Sequence, residues 1–258
     1  MMSFERLPGG TGIGAEAGIA PPESGPAGDG GARALRMQVL ATEHWSLLAS
    51  RSLAWGETFA RTGMFLTTLS GAVVAIALVA QASNFGPEAR LFALAILPIV
   101  LFVGLTTFFR LGASNYHDML CVVGMNRIRA AYLQMVPDVA PFLVMSAHDD
   151  RLGIGISMGI DPGRPRALHL LAGTPTVVMV LNSLLAGAIG SLLAFQGGGG
   201  IDVSVVAGVL GFGLALAGHV EFARRGIRRT TTALLAAFPS PGPSPDPGLA
   251  RAESEPKP

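Results

Sequence analysis

The stretch "TGMFLTTLSGAVVAIALVAQ", residues 62–81, is rich in apolar residues. It contains no Asp, Glu, Lys or Arg. An α-helix needs about 20 apolar residues to cross the hydrocarbon core of a bilayer. The apolar residues follow one another without strict alternation, which favours a helix over a strand. The stretch therefore predicts a first membrane-spanning helix.

Three further stretches have the same character, namely 91–109, 170–195 and 203–220. "ASNFGPEAR" joins the first two spans and "QGGGGID" joins the last two, and both links are too short for anything but antiparallel neighbours. Only 14% of the residues are charged, against about 25% in soluble domains. The predicted fold class is an all-α membrane protein with four transmembrane helices as two hairpins plus cytoplasmic amphipathic helices.

The segments outside the spans complete the domain organisation. Both ends are rich in Gly and Pro and low in large apolar residues, which predicts disorder. No apolar core of signal-peptide length occurs near the start, so we expect the first span to direct insertion. The predicted segments are a disordered N-terminus (1–31), a cytoplasmic helix (32–61), hairpin 1 (62–109), a cytoplasmic helical segment (110–169), hairpin 2 (170–220) and a basic, then Pro-rich, disordered tail (221–258).

The basic residues predict the orientation of the four spans. Of the 18 Lys and Arg residues, all but Arg90 fall on one side of a four-span arrangement. Basic segments stay in the cytoplasm, so both termini and the middle segment are expected there, in a bacterial cytoplasmic membrane. The residues that flank the spans and set this topology are Arg61, Arg110, Arg224, Arg225, Arg228 and Arg229.

Two amphipathic helices are predicted in the cytoplasm. Residues 34–61 place large apolar side chains on one face. Residues 114–136 do the same around "GMNRIRAAYLQ" (124–134), where apolar residues alternate with Arg127 and Arg129. The two helices either pack on each other or lie on the anionic leaflet, and their acidic residues favour mutual packing.

Small and polar residues within the spans are candidates for helix packing or for lining a pore. Small residues let transmembrane helices approach closely. Asn182 either lines a pathway or forms an interhelical hydrogen bond. Pro98 and Pro175 are expected to kink their helices. The candidate positions are Thr67, Gly71, Asn182, Ser183, Gly187 and Gly211.

Few residues suggest chemistry. His117 with Asp118, and His148 with Asp149 and Asp150, offer metal-ligand types, but no HExxH or HxH spacing accompanies them. We therefore expect solvated loop and helix-surface roles for these pairs. At the inner end of the fourth span, His219 and Glu221 suggest either a proton-responsive pair or the membrane interface.

The known catalytic and nucleotide-binding motifs are missing from the sequence. "GIGISMG" (153–159) misses the GxGxxG spacing, and no GK[ST] or GxSxG motif occurs. No catalytic residue, metal or cofactor is predicted, and a net charge of +1 gives no reason to expect nucleic acid as a partner.

The stretch "RSLAWGETFARTGMFLTTLSGAVVAIALVAQ", a second span and "GMNRIRAAYLQ" together resemble uncharacterised bacterial integral membrane proteins. More loosely, a two-span hairpin between cytoplasmic helices looks like the pore-forming effector domains of bacterial conflict systems. The small residues within the spans, the missing catalytic motifs and the predicted cytoplasmic helices favour a non-enzymatic role, as a scaffold or an oligomeric, pore-like effector. The alternatives are a small transporter or channel component and, last, a metal-dependent membrane enzyme. The expected partners are the lipid bilayer and either further copies of the chain or a membrane partner protein.

Overall fold

A computed structural model describes residues 26–160, 173–233 and 235–241. Within these ranges the chain is helical and forms no strand. The chain divides into two compact units, residues 1–39 and 40–258; the described part of the first is helical, and the contacts below lie in the second. The helices are α1 (Pro26–Ala82), α2 (Pro87–Met135), a 3-10 helix (Pro137–Phe142), α3 (Arg151–Ser157), α4 (Thr174–Gln196) and α5 (Ile201–Ala233).

The four long helices, α1, α2, α4 and α5, are each long and apolar enough to cross a membrane. This confirms the predicted fold class of an all-helical chain with four candidate spans, and it is consistent with a multi-span membrane protein. Insertion as two hairpins and the orientation of the spans stay predictions. The predicted disorder of both ends falls largely outside the described residues.

The first two spans do not stop at the membrane boundaries that the sequence suggests. α1 continues unbroken through residues 61 and 62, and α2 runs from its apolar half through Arg110 to Met135. Separate cytoplasmic helices were the expectation, but no proline stands at either boundary to end the helix. Each helix therefore joins an apolar half to a polar half as one continuous rod.

Two prolines behave differently from each other. Pro98 lies inside α2, where proline removes one backbone hydrogen bond, and the kink predicted there stays a prediction. Pro175 lies in the first turn of α4, so the predicted kink at that position is wrong. Backbone N–H groups in the first turn of a helix have no carbonyl of the same helix to donate to. A proline there therefore removes no helical hydrogen bond.

α4 and α5 pack closely, backbone against backbone. A methyl group added at Gly187 would lie 2.8 Å from the carbonyl oxygen of Gly208, and one added at Gly211 would lie 3.0 Å from that of Ala186. Gly190 faces Ala207 in the same way. The paired residues run in opposite order along the two helices, and glycines make the close approach possible.

α1 and α2 meet through long side chains instead. Leu47 covers Gly124, and Phe65 lies over Gly104, where an added methyl group would come within 2.7 Å of each side chain. Apolar residues of α1, α2 and α4 form one core between the helices. Its buried members are Phe65, Ala72, Ala93, Leu97, Val100, Phe108, Leu111, Val178 and Leu185.

Candidate functional site

Most of the polar contacts lie at one end of the helices, in a region that we call the polar layer. It comprises residues 40–61 of α1, residues 110–135 of α2, residues 137–160 and residues 235–241. The contacts between α1 and α2 in this region support mutual packing of the two predicted amphipathic helices. The polar layer is therefore the part of the chain in which to look for chemistry.

Asp118 of α2 joins the two longest helices. Its carboxylate accepts hydrogen bonds from the guanidinium of Arg51 and from Nε1 of Trp55, the latter at 3.0 Å. Only 8% of the Asp118 side chain is exposed. The predicted solvated role for Asp118 is therefore wrong, because a position facing α1 removes this carboxylate from water and supplies two donors in exchange.

His117 and Cys121 lie one helical turn apart beside this pair. The Sγ atom of Cys121 is 3.9 Å from Nδ1 of His117. Burial and the neighbouring Asp118 carboxylate raise the pKa of the Cys121 thiol. A raised pKa keeps the thiol protonated, which leaves Cys121 a small apolar residue in a helix contact.

Glu57 forms a second link between α1 and α2, closer to the predicted spans. It accepts hydrogen bonds from Arg110 of α2 at 2.6 Å and from Arg61 of its own helix at 2.9 Å. These bonds, that of Arg110 first, lower the pKa of Glu57 to about 2. Two of the predicted topology residues, Arg61 and Arg110, therefore meet at one carboxylate.

Asn126 is the centre of the motif "GMNRIRAAYLQ" and is completely buried. Its Nδ2 donates to the carbonyl oxygen of His148 at 2.7 Å. Its Oδ1 accepts from Arg129 at 2.7 Å and from the hydroxyl of Ser157 at 2.8 Å. Because the chain itself satisfies this amide, the motif holds residues 146–157 against α2.

Asp149 and Asp150 form what we call the clasp with Ala237, Phe238 and Ser240. The carboxylate of Asp149 accepts from the backbone N–H groups of Ala237 and Phe238 at 2.9 and 2.7 Å. The backbone of Asp149 donates to the carbonyl oxygen of Phe238 in return. Asp150 accepts from the N–H and the hydroxyl of Ser240. The clasp thus fixes the segment after α5 to the loop before α3.

Both acidic residues of the clasp have second roles. Arg127 donates to Asp149 at 2.7 Å, and no part of the Asp149 side chain is exposed. Asp150 also caps α3, because its Oδ1 accepts from the N–H of Gly153. The predicted solvated loop role is wrong for Asp149, whose partners lie too far along the chain to be read from local sequence.

The charges of the clasp follow from these bonds. Burial alone would raise the pKa of Asp149, but the N–H groups of Ala237 and Phe238 and the Arg127 guanidinium outweigh it, so the pKa is lowered. In Asp150 burial is likewise outweighed, here by the N–H groups of Gly153 and Ser240 and by the Ser240 hydroxyl, and its pKa is lowered. Both carboxylates are ionised at neutral pH and hold the segment as anions.

Asn182 is completely buried between three helices. Its side chain and the ring of Phe65 meet over Gly104, where no room for a Cβ is left. Neither Oδ1 nor Nδ2 has a hydrogen-bond partner among the described residues. The expected interhelical hydrogen bond is therefore wrong in this structure, because a glycine, a phenyl ring and helical backbone offer the amide no free donor or acceptor.

The structure separates the other predicted pore or packing residues into two groups. Ser183 is buried and donates to the carbonyl oxygen of Met179, and Gly187 and Gly211 form the contact of α4 with α5. Thr67 and Gly71 are exposed on α1. The structure therefore does not bring Thr67 to Asn182 within one chain.

The basic end of α5 shows a similar mixture of roles. Arg225 forms an ion pair with Glu221 at 2.7 Å, and Arg224 and Arg228 are exposed. Arg229 lies within the helix, but its side chain is outside the described residues. Glu221 thus pairs with an arginine rather than with His219.

His219 lies in an aromatic cluster that the sequence analysis did not predict. Its ring meets that of Phe108 at 4.6 Å between centroids, and Phe222 packs on Phe108 and Phe109. Nδ1 lies 2.6 Å from the carbonyl oxygen of Ala215, and Nε2 is buried with no partner among the described residues. Phe108 and His219 lie about 110 residues apart in the sequence, so local sequence gives no signal for this contact.

Residues of the polar layer also line a groove of about 330 Å³ beside the clasp. Its walls include Leu133, Leu143, Met145, His148 and Ile156. Across the described ranges, no three His, Cys, Asp or Glu side chains are grouped so that they could hold a metal ion. No protein-family model matches the chain, and neither the curated proteins nor the solved structures yield a match.

Proposed function

We propose that this protein is a non-enzymatic membrane scaffold, in which four spans anchor the polar layer at the surface of a bacterial cytoplasmic membrane. The excess of Arg at this end of the helices supports a cytoplasmic location for the layer and for both termini. No cofactor, metal or nucleic acid is part of the proposal.

One observation supports this proposal: three buried polar side chains at the centre of the layer are engaged in hydrogen bonds within the chain. Asp118, Asn126 and Asp149 are buried, and each has at least two hydrogen-bond partners from other parts of the chain. A catalytic group must instead reach a substrate. Fully satisfied buried networks make a region rigid and define one arrangement of its elements, which is what a scaffold needs.

An oligomeric, pore-like effector is the second candidate, and the exposed, uncharged side of α1 at Thr67 and Gly71 favours it. Several copies could surround a path with such faces. A small transporter or channel component is a weaker alternative, because Thr67 and Asn182 lie apart within one chain.

Efflux of ions and of a fluorescent dye from liposomes distinguishes these functions. Purified full-length protein is reconstituted beside protein-free liposomes and beside liposomes that contain a known channel. A scaffold leaves the liposomes as tight as the protein-free ones. Efflux clearly above that control would overturn the scaffold proposal in favour of a pore, and Asn182→Leu would then show whether Asn182 lines the path.

A further inference from the structure

One side of α1 is exposed and free of charge over a long distance. We call this side the outer face and define it by three rows of residues at seven-residue spacing, which is close to two helical turns. Every member is exposed. The rows are Trp45, Ser52, Phe59 and Leu66; Ala49, Gly56, Gly63 and Ser70; and Leu53, Ala60, Thr67 and Val74.

Part of the outer face lies outside the predicted span, where lipid tails cannot cover it. Trp45, Leu53 and Phe59 are 69%, 76% and 59% exposed. At 1.5 Å per residue, Trp45 lies about 25 Å along the axis from the first residue of the span, Thr62. Large apolar side chains grouped on a water-facing surface mark an interaction site.

The glycines of the outer face point to close approach by a neighbouring helix. A methyl group added at Gly56 or Gly63 would meet nothing within 4 Å, whereas one at Gly104, Gly124 or Gly187 would press on another helix. A glycine inside a helix lowers helix stability relative to alanine. At Gly104, Gly124 and Gly187, another helix of the same chain fills the space left by the missing side chain. At Gly56 and Gly63, no part of the described chain fills it.

We propose that the outer face of α1 binds the outer face of α1 from a second copy of this chain, with the two helices parallel. Two copies insert with the same topology, so the water-exposed half of each face meets the water-exposed half of the other, and the membrane half meets the membrane half. A two-fold axis between them makes the contact self-complementary.

Charge and area agree with this partner. The charged residues of α1 beyond position 40, which include Glu43, Arg51 and Glu57, all lie off the three rows, so no like charges meet across the contact. From Trp45 to Val74 the face is about 44 Å long, and a helix is about 12 Å wide. The two copies would bury about 1,000 Å² in total, which reaches the lower limit for a biological interface.

Disulfide crosslinking in native membranes tests the proposal. Cys121→Ala removes the single cysteine of the chain, and Ser52→Cys then adds one on the outer face. Glu43→Cys, at an exposed position off the face, is the matched control. Because cysteines bridge only when their Cα atoms come within about 7 Å, we expect about tenfold more dimer from Ser52→Cys than from Glu43→Cys.

Gly56→Leu provides a second test that does not depend on oxidation. The monomer has room for the side chain, so helix content should not fall, while the dimer fraction counted in native-membrane nanodiscs should fall about tenfold because the backbones can no longer approach. Gly213→Leu on α5, also an open position, should leave the dimer fraction unchanged.

Equal crosslinking at the two positions, no crosslink at Ser52→Cys, a crosslink to a different protein, or full dimerisation of Gly56→Leu would each overturn the proposal. The proposal rests on membrane insertion but not on the scaffold function. Carbonate extraction reports insertion separately, and liposome efflux reports the function, so the failures are distinguishable.

Discussion

The contact between α4 and α5 and the contacts of the polar layer hold the same chain together by different means. α4 and α5 bring their backbones together at glycines, with no ionisable group at Gly187, Gly208 or Gly211. In the polar layer, α1, α2 and the clasp are joined by side chains that carry charge. Shape decides the first kind of contact, and paired donors and acceptors decide the second.

These two kinds of contact predict which substitutions each region can tolerate. In an apolar environment, helices gain little by burying apolar surface, so close fit is the main source of attraction. In water, apolar burial and charge-assisted hydrogen bonds both contribute. Added volume should therefore damage the α4–α5 contact most, while lost hydrogen bonds should damage the polar layer most.

The largest effect is expected from Gly187→Leu. The new side chain would meet the carbonyl oxygen of Gly208 and Cβ of Phe212, which cannot move without separating the helices. Overpacking of this kind should lower the free energy of unfolding by about 3 kcal/mol, measured by thermal unfolding in mild detergent. Gly213→Leu is the control, because an added methyl group there meets nothing; an equal loss in both variants would contradict the role of close fit.

Asp149→Asn comes next, because it keeps the volume and removes the charge of a completely buried side chain. The amide can accept fewer of the bonds from Ala237, Phe238 and Arg127, and its own N–H₂ group lacks an acceptor. We expect a loss of about 2 kcal/mol. Hydrogen exchange should also show faster exchange at Ala237 and Phe238. Unchanged protection of these two amides would contradict the hydrogen bonds that define the clasp.

Asp118→Asn should cost less, about 1 kcal/mol, because Arg51 stays partly hydrated and Trp55 still finds an oxygen acceptor. Thermal unfolding gives the value. Glu57→Gln is the comparison for an ion pair in water, since more than a third of that side chain is exposed, and its effect should be smaller still. A larger loss for Glu57→Gln than for Asp118→Asn would reverse the order given by burial.

Acid should release the clasp but not separate α4 from α5. Asp149 and Asp150 have pKa values lowered from 3.8. A lowered pKa in the folded state gives stability that is present above the ordinary Asp value and is lost as the pH falls through the folded-state pKa. We therefore expect the protection factor of the Phe238 amide, which is corrected for the intrinsic exchange rate at each pH, to stay constant between pH 7 and pH 5 and to fall only below 3.8. Loss of protection near pH 6 would contradict this.

Sequence reasoning found the four long apolar helices because run length and missing charge are local properties. It divided α1 and α2 at the membrane boundaries, since nothing in the pattern distinguishes one long rod from two helices in line. The N-cap of α3 could have been predicted from the sequence, because Asp150 stands three residues before Gly153, which is the spacing of an N-cap hydrogen bond.

The contacts of the polar layer were beyond local reasoning. In the clasp, the partners of Asp149 and Asp150 in the segment after α5 lie 88 to 90 residues further along the chain, and Asp118 is 67 residues from Arg51. From local sequence alone, two adjacent acidic residues are expected to face solvent, because their distant hydrogen-bond donors are not known. Asn182 was correctly singled out as a polar residue within a span, but only the packing with Gly104 and Phe65 reveals that it lacks a hydrogen bond.

The clasp can form only late in the synthesis of the chain. Ser240 is made 90 residues after Asp150, and synthesis proceeds at about 5–20 residues per second, so the clasp stays open for at least several seconds on the ribosome. Closing it encloses α4 and α5 in a non-covalent ring that runs from Asp150 to Ser240. The ring can close only after both of these helices have been made and residues 237–240 have come back to Asp149 and Asp150. Protection of the Phe238 amide therefore reports that α4 and α5 have both been made and that the chain has returned to Asp149.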